Sequence, residues 1–176
     1  MTDKIRIIGV SLAAMAGILL VSGVAWAQAT ETPITVLIHS CYRVEDPVRE
    51  WVDEDGIKHV RDELYSCSRR RDMVGREIGW ASWDTDGAAN HYSERAYYTF
   101  TGTVLGGEPT TGVGRYTVEG ERINGVWNYT TEDVMHLDGG GLVKISGAWK
   151  AGDRLTFSGT LLETPGGAKR NGPRSK

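Results

Sequence analysis

Several signatures of known chemistry are missing from the chain. It has two cysteines and no Cys-x-x-Cys spacing, which excludes catalytic dithiol chemistry of the thioredoxin kind. It has no nucleophile elbow, phosphate-binding loop or dinucleotide fingerprint. The four histidines, His39, His59, His91 and His136, are scattered, and none is spaced for paired ligation on one element. No metal and no cofactor are expected. Positive charge is not in excess, since the formal net charge is −3; a dedicated nucleic-acid binder would present a basic face. Past the first segment there is no long helical pattern and no repeat of fixed period.

The first segment reads as an export signal. Lys4 and Arg6 make a small basic start, Ile7 to Val24 is uncharged and apolar or small, and Ala25-Trp26-Ala27 is a small-x-small cleavage pattern. Residues 1–27 are expected to be a signal peptide; an uncleaved anchor is the alternative, because the apolar run approaches the length of a membrane span. The protein is then exported, to the periplasm or the extracellular space. In that compartment Cys41 and Cys67 are expected to pair as a disulfide. Residues 28–165 have the length of one ordinary domain. The Gly-, Asn- and Pro-containing tail 166–176, with Lys169, Arg170, Arg174 and Lys176, reads as disordered and basic.

What the mature chain does contain is strand signal. Segments rich in Val, Ile, Thr, Tyr and Trp alternate with period two between Gly and Asp-Gly punctuation. Strands are expected at 34–44, 57–67, 73–83, 92–105, 111–118, 121–134, 142–149 and 154–162, with Glu119-Gly120 and Ala151-Gly152-Asp153 as tight reversals. Asp46 as a cap and Pro47 at a first helical position predict one or two helical turns between the first two strands. Short connections between successive strands read as an antiparallel meander. The fold class is all-β: a single-domain, antiparallel, up-and-down β-barrel of about eight strands, with a sandwich as the other way to protect the edges.

The stretch Ser82-Trp-Asp-Thr-Asp-Gly invites comparison with a calcium loop. Asp84 and Asp86 fit its first two ligand positions, but Ala88 stands at the fifth and glycine comes too early. The segment reads as a turn. Asn128-Tyr129-Thr130 is a glycosylation sequon, which matters only in a host that glycosylates.

Alternation assigns an inner face. On the strands flanking the Asp84 turn, Val74, Arg76, Ile78 and Trp80 form one set, and Tyr92, Glu94, Ala96, Tyr98 and Phe100 the other. Setting Trp80 against Glu94 and Arg76 against Tyr98 puts both sets inside. Arg76 and Glu94 are then expected to satisfy each other, either as a structural ion pair or as an acid/base group in a pocket. Tyr116, Val118, Ile123, Trp127 and Tyr129 continue the lining, followed by Val143, Ile145, Trp149, Leu155, Phe157 and Leu161. Gly114, Gly125, Gly147 and Gly159 on these faces let the sheet curl or leave room for a guest. Such an aromatic lining with a few polar groups suits a small apolar or aromatic ligand.

The segments Tyr97-Tyr98-Thr99-Phe100, Gly112-Val113-Gly114-Arg115-Tyr116 and Gly139-Gly140-Gly141-Leu142-Val143-Lys144-Ile145-Ser146-Gly147 resemble the allene oxide cyclase and dirigent-like barrels. The resemblance covers about half the mature chain. It implies an eight-stranded antiparallel barrel with an apolar cavity, often assembled as a homo-oligomer, that steers a reactive guest by shape. No catalytic residue of that family matches a position here.

The expected function is binding of a small, partly apolar molecule by Trp80, Tyr98, Tyr116, Trp127 and Tyr129, with Arg76 and Glu94 orienting it. The alternatives are a cofactor-free cyclase or isomerase using Glu94 as its acid/base, and an envelope interaction protein whose barrel is full.

Overall fold

A computed structural model describes residues 29–86 and 90–163. The signal peptide read at 1–27 and the basic tail read at 166–176 lie outside the described residues. Nine strands follow in order: β1 (Thr30–Glu45), β2 (Arg49–Val52), β3 (Ile57–Arg71), β4 (Met73–Asp86), β5 (His91–Val104), β6 (Thr110–Ile123), β7 (Val126–Leu137), β8 (Gly141–Lys150) and β9 (Leu155–Glu163). All pairings are antiparallel. From β3 to β9 each strand pairs with the next, and β1 pairs with both β9 and β3, which closes an eight-stranded barrel. Closure removes both edges of the sheet.

The extra strand is β2. It pairs with the first part of β3 through Arg49↔Arg61 to Val52↔Lys58, outside the barrel seam. This corrects the helical turns expected at Asp46-Pro47. Pro47 lies in the bend between β1 and β2, and after it the chain returns to extended pairing with β3.

Register explains three further departures. The β6–β7 hairpin turns at Asn124-Gly125, with φ of 53° and 83°, and not at Glu119-Gly120, which lies inside β6. Positive φ at both central residues is what a two-residue hairpin of this hand requires, and Asn-Gly supplies it. In β1 the register slips between Ile38 and Ser40, so His39 is a bulge. A one-residue slip exchanges the faces. Ile34 and Val36 are therefore buried, while Tyr42 and Val44 are exposed and Cys41 opposes Cys67. Finally, β4 runs on to Asp86 and β5 begins at His91, so β4 extends past the turn expected at Asp84. Trp83 opposes Glu94, and Gly79 opposes Tyr98. The offset is odd, so β4 presents the other face from the one expected: Met73, Glu77 and Ala81 are inside, and Val74, Ile78 and Trp80 are exposed.

The inner face of β4 is small for a packing reason. A Cβ at Gly79 would stand 2.6 Å from Tyr98 Cβ, and one at Gly114 would stand 2.2 Å from the Tyr98 ring. The rings of β5 occupy the space their neighbours leave. Gly114 thus admits Tyr98, and Gly147 admits Phe157 in the same way; neither leaves room for a guest.

Candidate functional site

The barrel interior divides along its axis. At the end where β1 begins and β9 finishes, Met73, Phe100, Met135 and Val143 have no exposed surface, and Ile34 and Leu161 pack with them. This end is sealed by apolar contact. At the opposite end the inner face is aromatic. Trp127, Tyr129 and Trp149 stack in sequence with centroid spacings of 5.9 and 5.1 Å, and Trp149 meets Phe157 edge-on. Tyr92 joins Tyr129 to Trp83. Tyr129 and Trp149 meet because they are direct register partners on β7 and β8.

A polar layer lies between these ends. Arg69 on β3 is 2% exposed; its Nε donates to Glu77 on β4, and its Nη2 donates to Asp133 on β7 at 2.8 Å. The Tyr98 hydroxyl donates to the other Asp133 oxygen at 2.5 Å, and the guanidinium lies 4.9 Å from the centre of the Tyr98 ring. A buried charge is tolerated when it is paired and hydrogen-bonded. Burial pushes the Glu77 carboxyl above the usual carboxylate range, and the neighbouring Arg69 only partly opposes this. Burial depresses Arg69, but Glu77 and Asp133 outweigh it and hold the guanidinium firmly charged. Burial also raises the hydroxyls of Tyr65, Tyr92, Tyr98 and Tyr116, which stay protonated.

Between the polar layer and the aromatic end is a cavity of about 110 Å³. Its walls are Ile38, Ile145, Trp149, Leu155 and Phe157 on the apolar side, and Arg69, Glu77, Tyr116, Thr131 and Asp133 on the polar side. The Cys41–Cys67 disulfide forms part of the wall. It ties β1 to β3, the pairing that closes the barrel. A cavity of about 150 Å³ is known to hold benzene, so a guest of that size would fill this one and extend toward the aromatic end.

The expected site residues fall into two groups. Tyr98, Tyr116, Trp127 and Tyr129 are on the inner face, and so is Glu94, which accepts from Tyr92 at 2.5 Å and from Tyr116 at 2.7 Å. Arg76 and Trp80 are not there. Arg76 is exposed, donates to Ser66 Oγ at 2.6 Å and to the Tyr42 hydroxyl, and lies over the Tyr42 ring. Trp80 is 46% exposed and stands beside Tyr97 on the outer face. The expected Arg76–Glu94 pair therefore does not form, because the two side chains are on opposite sides of the sheet. Sequence reasoning missed Arg69, Glu77 and Asp133. Arg69 opens the run Arg69-Arg70-Arg71, whose composition suits solvated surface; its alternation with Cys67 is the signal that places it inside.

A second polar cluster lies outside the barrel, where β2 meets β3. His59 Nε2 is 2.9 Å from Asp53 and Nδ1 is 2.6 Å from Asp84, and Arg61 also reaches Asp84 at 2.7 Å. Trp51 stacks on the imidazole at 4.7 Å. Asp53 and then Asp84 raise the His59 pKa above its ordinary value.

No family model, curated protein or solved structure matches the chain.

Proposed function

We propose that the protein is an exported binding module that takes up a small, partly apolar molecule inside the barrel. The observation that carries this reading is the cavity, which has apolar walls on one side and buried polar groups on the other. Small-molecule sites combine these two features: apolar area supplies affinity, and a few fixed polar groups supply orientation. Tyr116 and Trp149 line the cavity and Tyr129 stacks on Trp149 toward the rim. Arg69, Glu77 and Asp133 take the orienting role expected of Arg76. The disulfide is consistent with an oxidising compartment.

The test is native mass spectrometry of the protein purified from its source cells, before and after denaturation. A small molecule lost on unfolding is the expected result. A bare polypeptide mass, together with no uptake from an extract of the same cells, would count against the reading.

A second reading, a cofactor-free isomerase or cyclase, is favoured by Glu94. This carboxylate stands on the inner face with a phenol on each oxygen, and one of those phenols, Tyr116, lines the cavity and could relay a proton. Under that reading Glu94→Gln abolishes turnover of the identified guest and leaves its binding unchanged.

A further inference from the structure

The charges on the inner face do not balance. Below the rim, Glu63, Glu77, Glu94 and Asp133 stand against Arg43 and Arg69. Arg43 and Glu63 pair with each other at 2.7 Å. Among the described residues that leaves Arg69 as the cation paired with Glu77 and Asp133, while Glu94 stands apart between the Tyr92 and Tyr116 hydroxyls. Arg122, beyond Trp127, is exposed at the rim and turns to the Gly125 carbonyl. On the cavity wall itself Glu77 and Asp133 exceed Arg69 by one formal negative charge.

A separate observation concerns Tyr65, which is 6% exposed. Its hydroxyl lies near the Glu77 carboxyl and the Tyr116 hydroxyl, both on the cavity wall, yet completes a hydrogen bond of ordinary geometry with neither. A buried polar atom left without a partner is costly in a finished core. The hydroxyl is thus an unfilled polar group next to two side chains of the cavity wall.

The third observation is the aromatic surface. Ring faces attract cations, most strongly where water is excluded. The protein already uses this inside the barrel, with Arg69 over Tyr98. Tyr116 and Trp149 extend that surface along the cavity. Among the described residues no three acidic, histidine or cysteine side chains converge as metal ligands would. The carboxylates surround a volume instead, which suits a cation carried on an organic body.

Building on the reading of the barrel as a binding module, we propose that the guest is a small organic ammonium ion, with its apolar body against Ile145, Trp149 and Phe157 and its charge toward Glu77 and Asp133. An anionic guest would meet the carboxylates, and a neutral one would leave their charge uncompensated.

The test compares benzylammonium, benzyl alcohol and benzoate on the purified, disulfide-intact protein at neutral pH and constant ionic strength, by calorimetry and tryptophan fluorescence. Benzylammonium is expected to bind about tenfold or more tighter than benzyl alcohol, and benzoate weakest of the three. Glu77→Gln, which keeps the shape of the carboxyl and cannot become an anion, should lower the preference for benzylammonium over benzyl alcohol about tenfold. If benzyl alcohol binds as tightly as benzylammonium or tighter, the ammonium proposal falls and the binding module stands. If none of the three binds, both fall. The comparison on the unaltered protein decides the matter even if Glu77→Gln does not fold.

Discussion

The two ends of the barrel are built from the same strands by different means. At one end Met73, Phe100, Met135 and Val143 exclude all solvent. At the other, Trp127, Tyr129 and Trp149 stack half-buried, above a cavity with charged groups in its wall. Apolar side chains of varied shape fill space completely, and stability follows from that. Stacked rings and paired charges bury less and leave room. Under the proposed reading, stability and binding are assigned to opposite ends, so a substitution at one end should disturb one property more than the other.

The largest expected effect is on the sealed end. Phe100→Ala should cost about 3–5 kcal/mol of unfolding free energy, whereas Tyr129→Ala at the aromatic end should cost about 1–2 kcal/mol. Urea denaturation of both variants checks this, and equal losses would break the comparison. Next is the seam between β1 and β3. Replacing Cys41 and Cys67 by serine releases a loop with a sequence separation of 26, worth about 3.5 kcal/mol in the chain-entropy view; thermal unfolding with and without reductant reads it. Smaller again is Gly114→Ala. The new methyl would collide with the Tyr98 ring and shift its hydroxyl from Asp133. Overpacking of this kind costs about 1–3 kcal/mol, and the variant should also bind guests more weakly.

The smallest effect is expected outside the barrel, at the His59 cluster. With both ring nitrogens facing carboxylates, His59 donates twice only as the imidazolium. Its raised pKa means that its contribution is complete below its ordinary value, about 6.5, and is lost as pH rises through the higher folded value. The Asp53 pKa is lowered, chiefly by His59. At Asp84, burial acts upward and is outweighed by Arg61 and His59. Their contribution is present above the ordinary carboxylate range and lost as pH falls through the lowered values. Pairing of β2 with β3 should therefore be firmest between about pH 4 and 6.5 and loosen on the alkaline side. Amide exchange of β2, followed with the His59 ring proton resonances, measures it. A His59 titration at or below 6.5 would contradict the clamp.

The sequence was most informative where one face of a strand is uniformly large and apolar. Tyr98 and Phe100 on β5, Val143 and Ile145 on β8, and Phe157 and Leu161 on β9 alternate cleanly and are buried. It misled on β4, where the outer positions Val74, Ile78 and Trp80 are larger and more apolar than the inner Gly75, Glu77 and Gly79. Gly75 and Gly79 are glycines because Phe100 and Tyr98 of β5 stand against them, a reason that lies on another strand. The His39 bulge reverses β1 midway, and simple alternation carries no sign of it. Asn124-Gly125 was readable, since Asn-Gly is the strongest short hairpin signal; Glu119-Gly120 was preferred in its place. The buried Arg69–Glu77–Asp133 layer depends on three strands meeting across the interior, which no local pattern encodes.

The most direct test of the account is a two-dimensional amide NMR titration with benzyl alcohol, a neutral probe that tests the cavity independently of its charge. The account predicts shifts at Arg69, Tyr116, Asp133 and Trp149, with Met73, Phe100 and Val143 unmoved. Shifts confined to Trp80, Tyr97 and the rest of the outer face, or none at all, would contradict it.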